Sequence, residues 1–417
     1  MKTKLKYFLV YLLFFPLGIS TFSSISFSST IDFAYPLASS PLYGVSCYNI
    51  TQSVTYQVEI NFSLTHNSGV GNYVFKFARL NSRMPNITST KYTPPYQESN
   101  LIYNNITGFK PAELKIGHND QFNNTYDSFN ASLLVGEQVT LEQNYTVTLN
   151  AIKFQNIEDT DIGTYNMSDE IFDLYCNNSE PYYQRDDSSL ITLSNSIVNL
   201  GDNPVEKARK ICNWIKNNIV YNGALPPQEM GALWAYNNLQ GDCSEFSSLM
   251  ITLLRIQNIP ARKVTGFLIS NNPSTRPKPG NIWNFQVSGS SNDILGHAWV
   301  EYYVPDIGWI ACDPTWTGTY NYFNYIDFLR FNLNVGANFF FPPSSTVSEF
   351  SNPLFSYTLG SSFDFAYDVM ITVLDSNLAP LTSIPIIFFV FIGIGAAAVV
   401  ITLIIILRSS KKEKYNY

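Results

Sequence analysis

Residues 384–407 form a run of 24 residues without a charged side chain, closed by Arg408, Lys411, Lys412 and Lys414. As a helix this run would be about 36 Å long, enough to cross a bilayer with some tilt. The basic residues behind it place the tail, residues 408–417, on the cytoplasmic side. At the other end Lys2, Lys4 and Lys6 precede an apolar stretch at residues 7–17 and then small residues. That is the pattern of a secretory signal peptide over residues 1–20. Read together, the two ends predict a single-pass cell-membrane protein whose residues 21–383 lie outside the cell.

Charge supports this division. The chain carries −7 in all, and each basic end carries +3, so the portion between them carries −13. Charged residues are 14% of the chain, against about 25% in an average soluble domain. Nothing basic is left to neutralise phosphates, which argues against nucleic acid as a partner. Asn-x-Ser/Thr occurs at Asn49, Asn61, Asn86, Asn105, Asn123, Asn130, Asn144, Asn166 and Asn177, and nowhere beyond. The one-sided distribution predicts a glycosylated first domain and a bare second one.

The grammar of the chain changes at the same place. Within residues 30–180, runs such as Val54-Thr55-Tyr56-Gln57-Val58 and Tyr145-Thr146-Val147-Thr148-Leu149 alternate with period two between turn-forming Asn, Gly, Pro and Ser. This predicts an N-terminal β-sandwich. Residues 181–187 read as a linker, residues 190–345 as an α+β domain, and residues 346–383 as a β-rich stalk below it. In the α+β domain Asn203 caps a helix with Pro204 first and Glu206 completing a capping box. A second helix is expected near residues 227–239. A third begins at Gly241-Asp242-Cys243, where Asp242 caps and Glu245 completes a second capping box, with Phe246, Leu249, Met250, Leu253 and Leu254 at core-facing spacing. A strand at residues 264–269 and a hairpin of residues 298–304 and 309–312 follow. The Pro-, Gly- and Asn-rich stretch 271–295 reads as a loop rimming a substrate cleft.

Chemistry concentrates on three residues. Cys243 would be the first residue of its helix, where the positive end of the helix dipole favours a thiolate. Asp242 and Glu245 oppose that effect, so a base is required. His297 opens one hairpin strand and Asp313 ends the other, and nucleophile, base and orienting carboxylate form a relay. For His297 and Asp313 to share a face, paired residues in this hairpin must have an even sum of residue numbers, or the hairpin must contain a bulge. Trp234, or Trp214, is a candidate indole donor to an oxyanion, with core packing as the competing role.

The stretches GDCSEFSSLMITLLRIQNIPARKVTGF and GHAWVEYYVPDIGWIACDPTW resemble the transglutaminase-like superfamily, whose core is related to papain-type cysteine peptidases. The resemblance covers roughly residues 195–320. It implies a catalytic triad of Cys243, His297 and Asp313, a protein or peptide substrate, and acyl transfer from an amide, with hydrolysis favoured over crosslinking. A non-enzymatic surface protein using the same fold is the alternative. Cys47 with Cys176, and Cys212 with Cys312, are candidate disulfide pairs in an exported chain. No metal or cofactor motif occurs, so no cofactor is expected.

Overall fold

The structure is a computed structural model. It describes residues 47–83, 93–108, 114–120, 122–155, 157–177, 179–226, 229–289, 292–316, 321–336, 339–341, 344–348 and 354–378. All of them belong to one compact unit, Tyr43–Tyr417. The expected signal peptide, the apolar run 384–407 and the tail 408–417 lie outside the described residues. No helix among the described residues is long and apolar enough to cross a membrane.

The first half folds as two packed antiparallel sheets. Its strands are β1 (Tyr48–Ser68), β2 (Asn72–Ala78), β3 (Gln97–Thr107), β4 (Lys115–Asn119), β5 (Thr125–Ser132) and β6 (Gln138–Phe154). In β1 the side chains of Val54, Tyr56, Val58, Ile60, Phe62 and Leu64 alternate inward, as the period-two pattern requires. They meet an aromatic layer from β2 and β5, with Phe62 and Phe77 ring centres 5.0 Å apart and Phe75 and Phe129 4.9 Å apart.

The second half begins with helices α1 (Glu170–Tyr175), α2 (Ser188–Ile197) and α3 (Pro204–Asn218), and the short strand β7 (Val220–Tyr221). Next come α4 (Ala232–Asn238), β8 (Gln240–Gly241), α5 (Cys243–Ile256), β9 (Ala261–Leu268) and β10 (Ile282–Ser288). The chain continues with β11 (Leu295–Val304), β12 (Gly308–Cys312), β13 (Tyr325–Ile326) and β14 (Arg330–Val335). A small hairpin, β15 (Phe339–Phe341) and β16 (Ser344–Ser348), leads to β17 (Leu354–Tyr357) and β18 (Ser362–Asn377). Helix α5 is buried from Cys243 to Arg255. It lies against α2, α3 and α4 on one side and β9 and β11 on the other, so even its polar residues Ser247, Ser248 and Thr252 are buried. The central sheet runs β12-β11-β9-β14.

The halves are less separate than their sequence grammar suggests. The large sheet has the order β10-β18-β1-β6-β13, with β3 also on β6. The predicted stalk is therefore corrected: β18 is an inner strand paired with β1 along its length, and β17 edges the second sheet. The predicted rim loop 271–295 is corrected too, because it contains β10, paired with β18. Phe285 is buried there and Trp283 and Val287 pack beside it, a period-two pattern inside a turn-rich stretch. The predicted linker also folds inward. Tyr183 is buried, with the Arg255 guanidinium 4.6 Å over its ring, and Asp187 caps α2.

The sandwich also finishes the central sheet. The Gln97 side chain accepts from Asn332 N–H at 2.9 Å and donates to Asn332 C=O at 3.0 Å. Asn124 does the same for Val335, at 2.7 and 2.9 Å. Two amide side chains thus stand in for a neighbouring strand along the outer edge of β14. Arg83 reaches across to Glu301 on β11 at 2.8 Å, and Arg262 on β9 holds the same carboxylate at 2.7 Å.

Candidate active site

The site forms where α5 begins. Asp242 caps the helix by accepting from Ser244 N–H, and Glu245 accepts from Asp242 N–H at 3.0 Å, so the expected capping box is present. Gly241 has a steric reason to be glycine, since a Cβ there would lie 2.4 Å from Glu245 Cβ. Cys243 follows as the first helical residue, and the backbone N–H of Ala298 acts to favour its thiolate form. That donor belongs to the part of β11 that runs past its pairing with β12, which starts at Val300 opposite Cys312. The neighbour of Ala298 in the chain is His297.

The hairpin pairs Val304 with Gly308 and Val300 with Cys312, so paired residues have an even sum. Asp313 therefore extends onto the face that carries His297. His297 Nε2 and Asp313 Oδ2 are 2.7 Å apart, and both side chains are buried. On its other side His297 pairs with Gly266 of β9. A Cβ at Gly266 would come within 1.8 Å of Phe331 C=O, so glycine lets β9 and β14 close behind the histidine.

Asp313 has more partners than the sequence revealed. Arg330 on β14 donates to Asp313 Oδ2 from Nη2 at 3.0 Å and from Nε at 3.3 Å. Its Nη1 pairs with Asp327 at 2.7 Å. Thr315 N–H donates to Asp313 Oδ1 at 3.1 Å. Tyr322 donates to Asp327 at 2.6 Å and lies under the Arg330 guanidinium, 4.1 Å from its ring centre. Burial works against ionising Asp313, but His297, then Arg330 and the Thr315 N–H, outweigh it and hold the carboxyl well below the usual range.

The thiol is in the opposite condition. Burial raises the Cys243 pKa well above that of a free thiol, and Asp242 adds to the rise. The Ala298 N–H and Lys263 work the other way but do not overcome it. Asp242 is itself pushed up to about 7 by burial and by Glu245. Lys263 is held by Glu229 at 2.6 Å, and Ser248 donates to the same carboxylate. Tyr221 on β7 borders this corner. Its phenol is pushed up to about 12 by burial and by Cys243, Asp242 and Asp313, although over half of its surface is exposed.

The other predicted residues fall elsewhere. Trp234 sits half-buried on α4, where its C=O accepts from Asn238. No hydrogen bond among the described residues joins Trp234 to Cys243, His297 or Asp313. Trp214 packs against Tyr236, with ring centres 6.4 Å apart. The expected disulfides are corrected, because the structure contains no disulfide bond among Cys47, Cys176, Cys212, Cys243 and Cys312. Cys176 is buried with its thiol 3.7 Å from Arg255 C=O. Cys212 and Cys312 do meet, with sulfurs 3.6 Å apart and Met250 Sδ 3.8 Å from Cys312. A disulfide bond would need about 2.05 Å. Asn86 lies outside the described residues. None of the other eight glycosylation asparagines is buried, and Asn61 and Asn144 stand on strand positions facing away from the sandwich core.

Arg330, Asp327 and Tyr221 are residues that sequence reasoning missed. Arg330 lies 17 residues past Asp313 in an aromatic stretch, with no spacing rule to link them. Among the described residues no group of His, Cys, Asp and Glu could hold a metal ion.

With the geometry established, known proteins can be compared. Residues 191–314 match the family model of the transglutaminase-like superfamily. Over 181 residues the chain is 28% identical to the uncharacterized YebA protein of Bacillus subtilis, covering 41% of this chain and 23% of YebA. Over 81 residues it is 31% identical to a protein-glutamine gamma-glutamyltransferase of Pseudomonas aeruginosa, covering 19% of this chain and 11% of that protein. The chain thus spans less than a quarter of either curated relative. A solved structure of a candidate cysteine protease from Cytophaga hutchinsonii aligns over 80% of this chain and 95% of its own, at 16% identity and a TM-score of 0.48. Helix α5 packed on the antiparallel sheet, with Cys243 at its start, lies inside the matched segment: residues 191–314 are a domain of the transglutaminase-like superfamily, with its papain-related fold.

Proposed function

We propose that this protein is a cysteine-dependent acyl-transfer enzyme acting on protein or peptide amides outside the cell, held to the membrane by residues 384–407. The observation that carries the reading is the series of groups at the head of α5. Cys243 opens the helix, and His297 on β11 is bonded at 2.7 Å to a buried Asp313 whose carboxyl is held ionised.

The chemistry follows from which ring nitrogen is free. Asp313 occupies Nε2, leaving Nδ1 to take the thiol proton. Burial and Asp242 disfavour the thiolate. His297 therefore acts as a general base when an amide carbonyl arrives, and Asp313 stabilises the imidazolium formed. The Cys243 sulfur bonds to the carbonyl carbon, the C–N bond breaks, and His297 returns the proton to the departing ammonia or amine. Water then attacks the thioester, with His297 taking its proton, and releases the acid and the free thiol. An amine in place of water would give a crosslink. Hydrolysis is the favoured outcome, and the relative named as a gamma-glutamyltransferase makes amine transfer the outcome to test beside it. The Cys243 N–H is one donor available to the oxyanion.

The test is a screen of glutamine-containing peptides with the full chain in detergent, following ammonia release and incorporation of a labelled amine. Cys243→Ala is the control. Ammonia release that disappears in the variant, with little amine incorporated, supports the reading. A protein that processes no amide, or one whose activity survives Cys243→Ala, would overturn it in favour of an interaction module.

A further inference from the structure

The groups behind Asp313 form a line of alternating charge. Asp313 Oδ2 is shared between His297 Nε2 at 2.7 Å and Arg330 Nη2 at 3.0 Å. The same guanidinium is shared between Asp313 and Asp327, whose second oxygen takes the Tyr322 hydroxyl. Arg330 is 1% exposed and Asp313 fully buried, so water screens little of this arrangement. The other groups acting across this corner are Cys243 and Asp242 at the head of α5, Lys263 on β9 with its Glu229 partner, and Tyr221 on β7.

We infer that the Arg330–Asp327 pair is a positioning device that sets how firmly His297 holds its proton. A carboxylate oxygen already accepting from a guanidinium offers less negative potential to an imidazolium. Arg330 therefore weakens the hold of Asp313 on a proton at His297. Asp327 draws the guanidinium charge the other way and restores part of that hold. Arg330 also fixes the carboxylate plane by donating from two nitrogens, something a lysine cannot reproduce.

This inference rests on His297 acting as the base, but its test needs no substrate, so its failure is separable from failure of the catalytic reading. The chain has three histidines, His66, His118 and His297. The full chain, labelled at histidine Cε1 and held in detergent, is titrated by carbon NMR, with His66 and His118 as internal references. Arg330→Met should raise the pKa of His297 by about one unit, the lower end of the effect of a charge within about 4–6 Å. Asp327→Asn, which leaves Arg330 wholly to Asp313, should lower it by about half a unit. Arg330→Lys should fall between Arg330→Met and the parent. Opposed shifts confined to His297 are not what a merely structural role would give. Shifts of the same sign in Arg330→Met and Asp327→Asn, or none in either, would overturn the inference. If Arg330→Met does not fold, an unmoved or raised pKa in Asp327→Asn overturns it alone.

Discussion

Two buried carboxylates on one sheet show how similar chemistry is put to different use. Glu301 and Asp313 are both almost wholly buried beside arginine. Glu301 is saturated by two fixed cations, Arg83 and Arg262, the first from the sandwich and the second also 3.7 Å over the Trp309 ring. Among the described residues its hydrogen-bond partners are these two arginines, and it acts as a bolt between the two halves. Asp313 has one arginine, which is itself half-claimed by Asp327, and a histidine on the same oxygen. Its negative charge is therefore shared with a histidine and not taken up wholly by fixed cations. The difference lies in what remains unneutralised, since burial and carboxylate chemistry are alike.

The comparison can be broken most forcefully at Asp313. Asp313→Asn should cut turnover by on the order of 10³–10⁴, because an amide holds the wrong tautomer and cannot stabilise imidazolium. Its circular dichroism should stay near the parent's. Glu301→Gln should do the reverse. Leaving Arg83 and Arg262 without their carboxylate should cost roughly 3–5 kcal/mol, seen as a lowered thermal midpoint, while folded molecules keep their turnover. Burial opposes ionisation of Glu301, but Arg83 and Arg262 outweigh it and depress its folded pKa. Its contribution is therefore complete above the unfolded carboxylate pKa of about 4.3 and lost as pH falls through the folded value. The gap in melting temperature between parent and Glu301→Gln should accordingly narrow on acidification below about pH 4. A gap independent of pH would mean that Glu301 acts through packing.

Smaller effects are expected at the seam. Gln97→Ala or Asn124→Ala would each leave backbone groups of β14 unpaired, at about 1–3 kcal/mol. Amide exchange should rise at Asn332 in the first variant and at Val335 in the second, with turnover little changed. Tyr221→Phe keeps the ring beside the Cys243 corner and removes only the hydroxyl of a half-exposed residue. It should alter KM by less than about threefold, corresponding to under about 0.7 kcal/mol.

These expectations also mark what the amino-acid pattern could convey. Local signals were legible: the capping boxes at Asn203 and Asp242, the helix start at Cys243, and the facing of His297 and Asp313 by register parity. They depend on neighbours within a few residues or on one hairpin. The placement of β18 depends on a partner about 300 residues away, such as Ser53 opposite Asn377, and β10 in turn pairs with β18; nothing in the alternation of residues 362–377 names its neighbour. The same limit hid Arg330, whose role exists only because β9 and β14 pair. Gln97 and Asn124 belong to the sandwich in sequence, yet they complete the edge of another sheet. The cysteines misled for a related reason. Cys212 and Cys312 were correctly suspected of proximity, and their sulfurs do touch without bonding.

The central claim is that His297 activates Cys243, and it is tested most directly by the rate of Cys243 alkylation. The full chain is treated with iodoacetamide at pH 7, and modification of each cysteine is followed by peptide mass spectrometry. In the parent, Cys243 should react well ahead of the buried Cys176, Cys212 and Cys312. His297→Ala should slow Cys243 by on the order of 10²-fold, the scale of a positioned general base, and leave the other four rates unchanged. Equal labelling of Cys243 in parent and variant would contradict the relay.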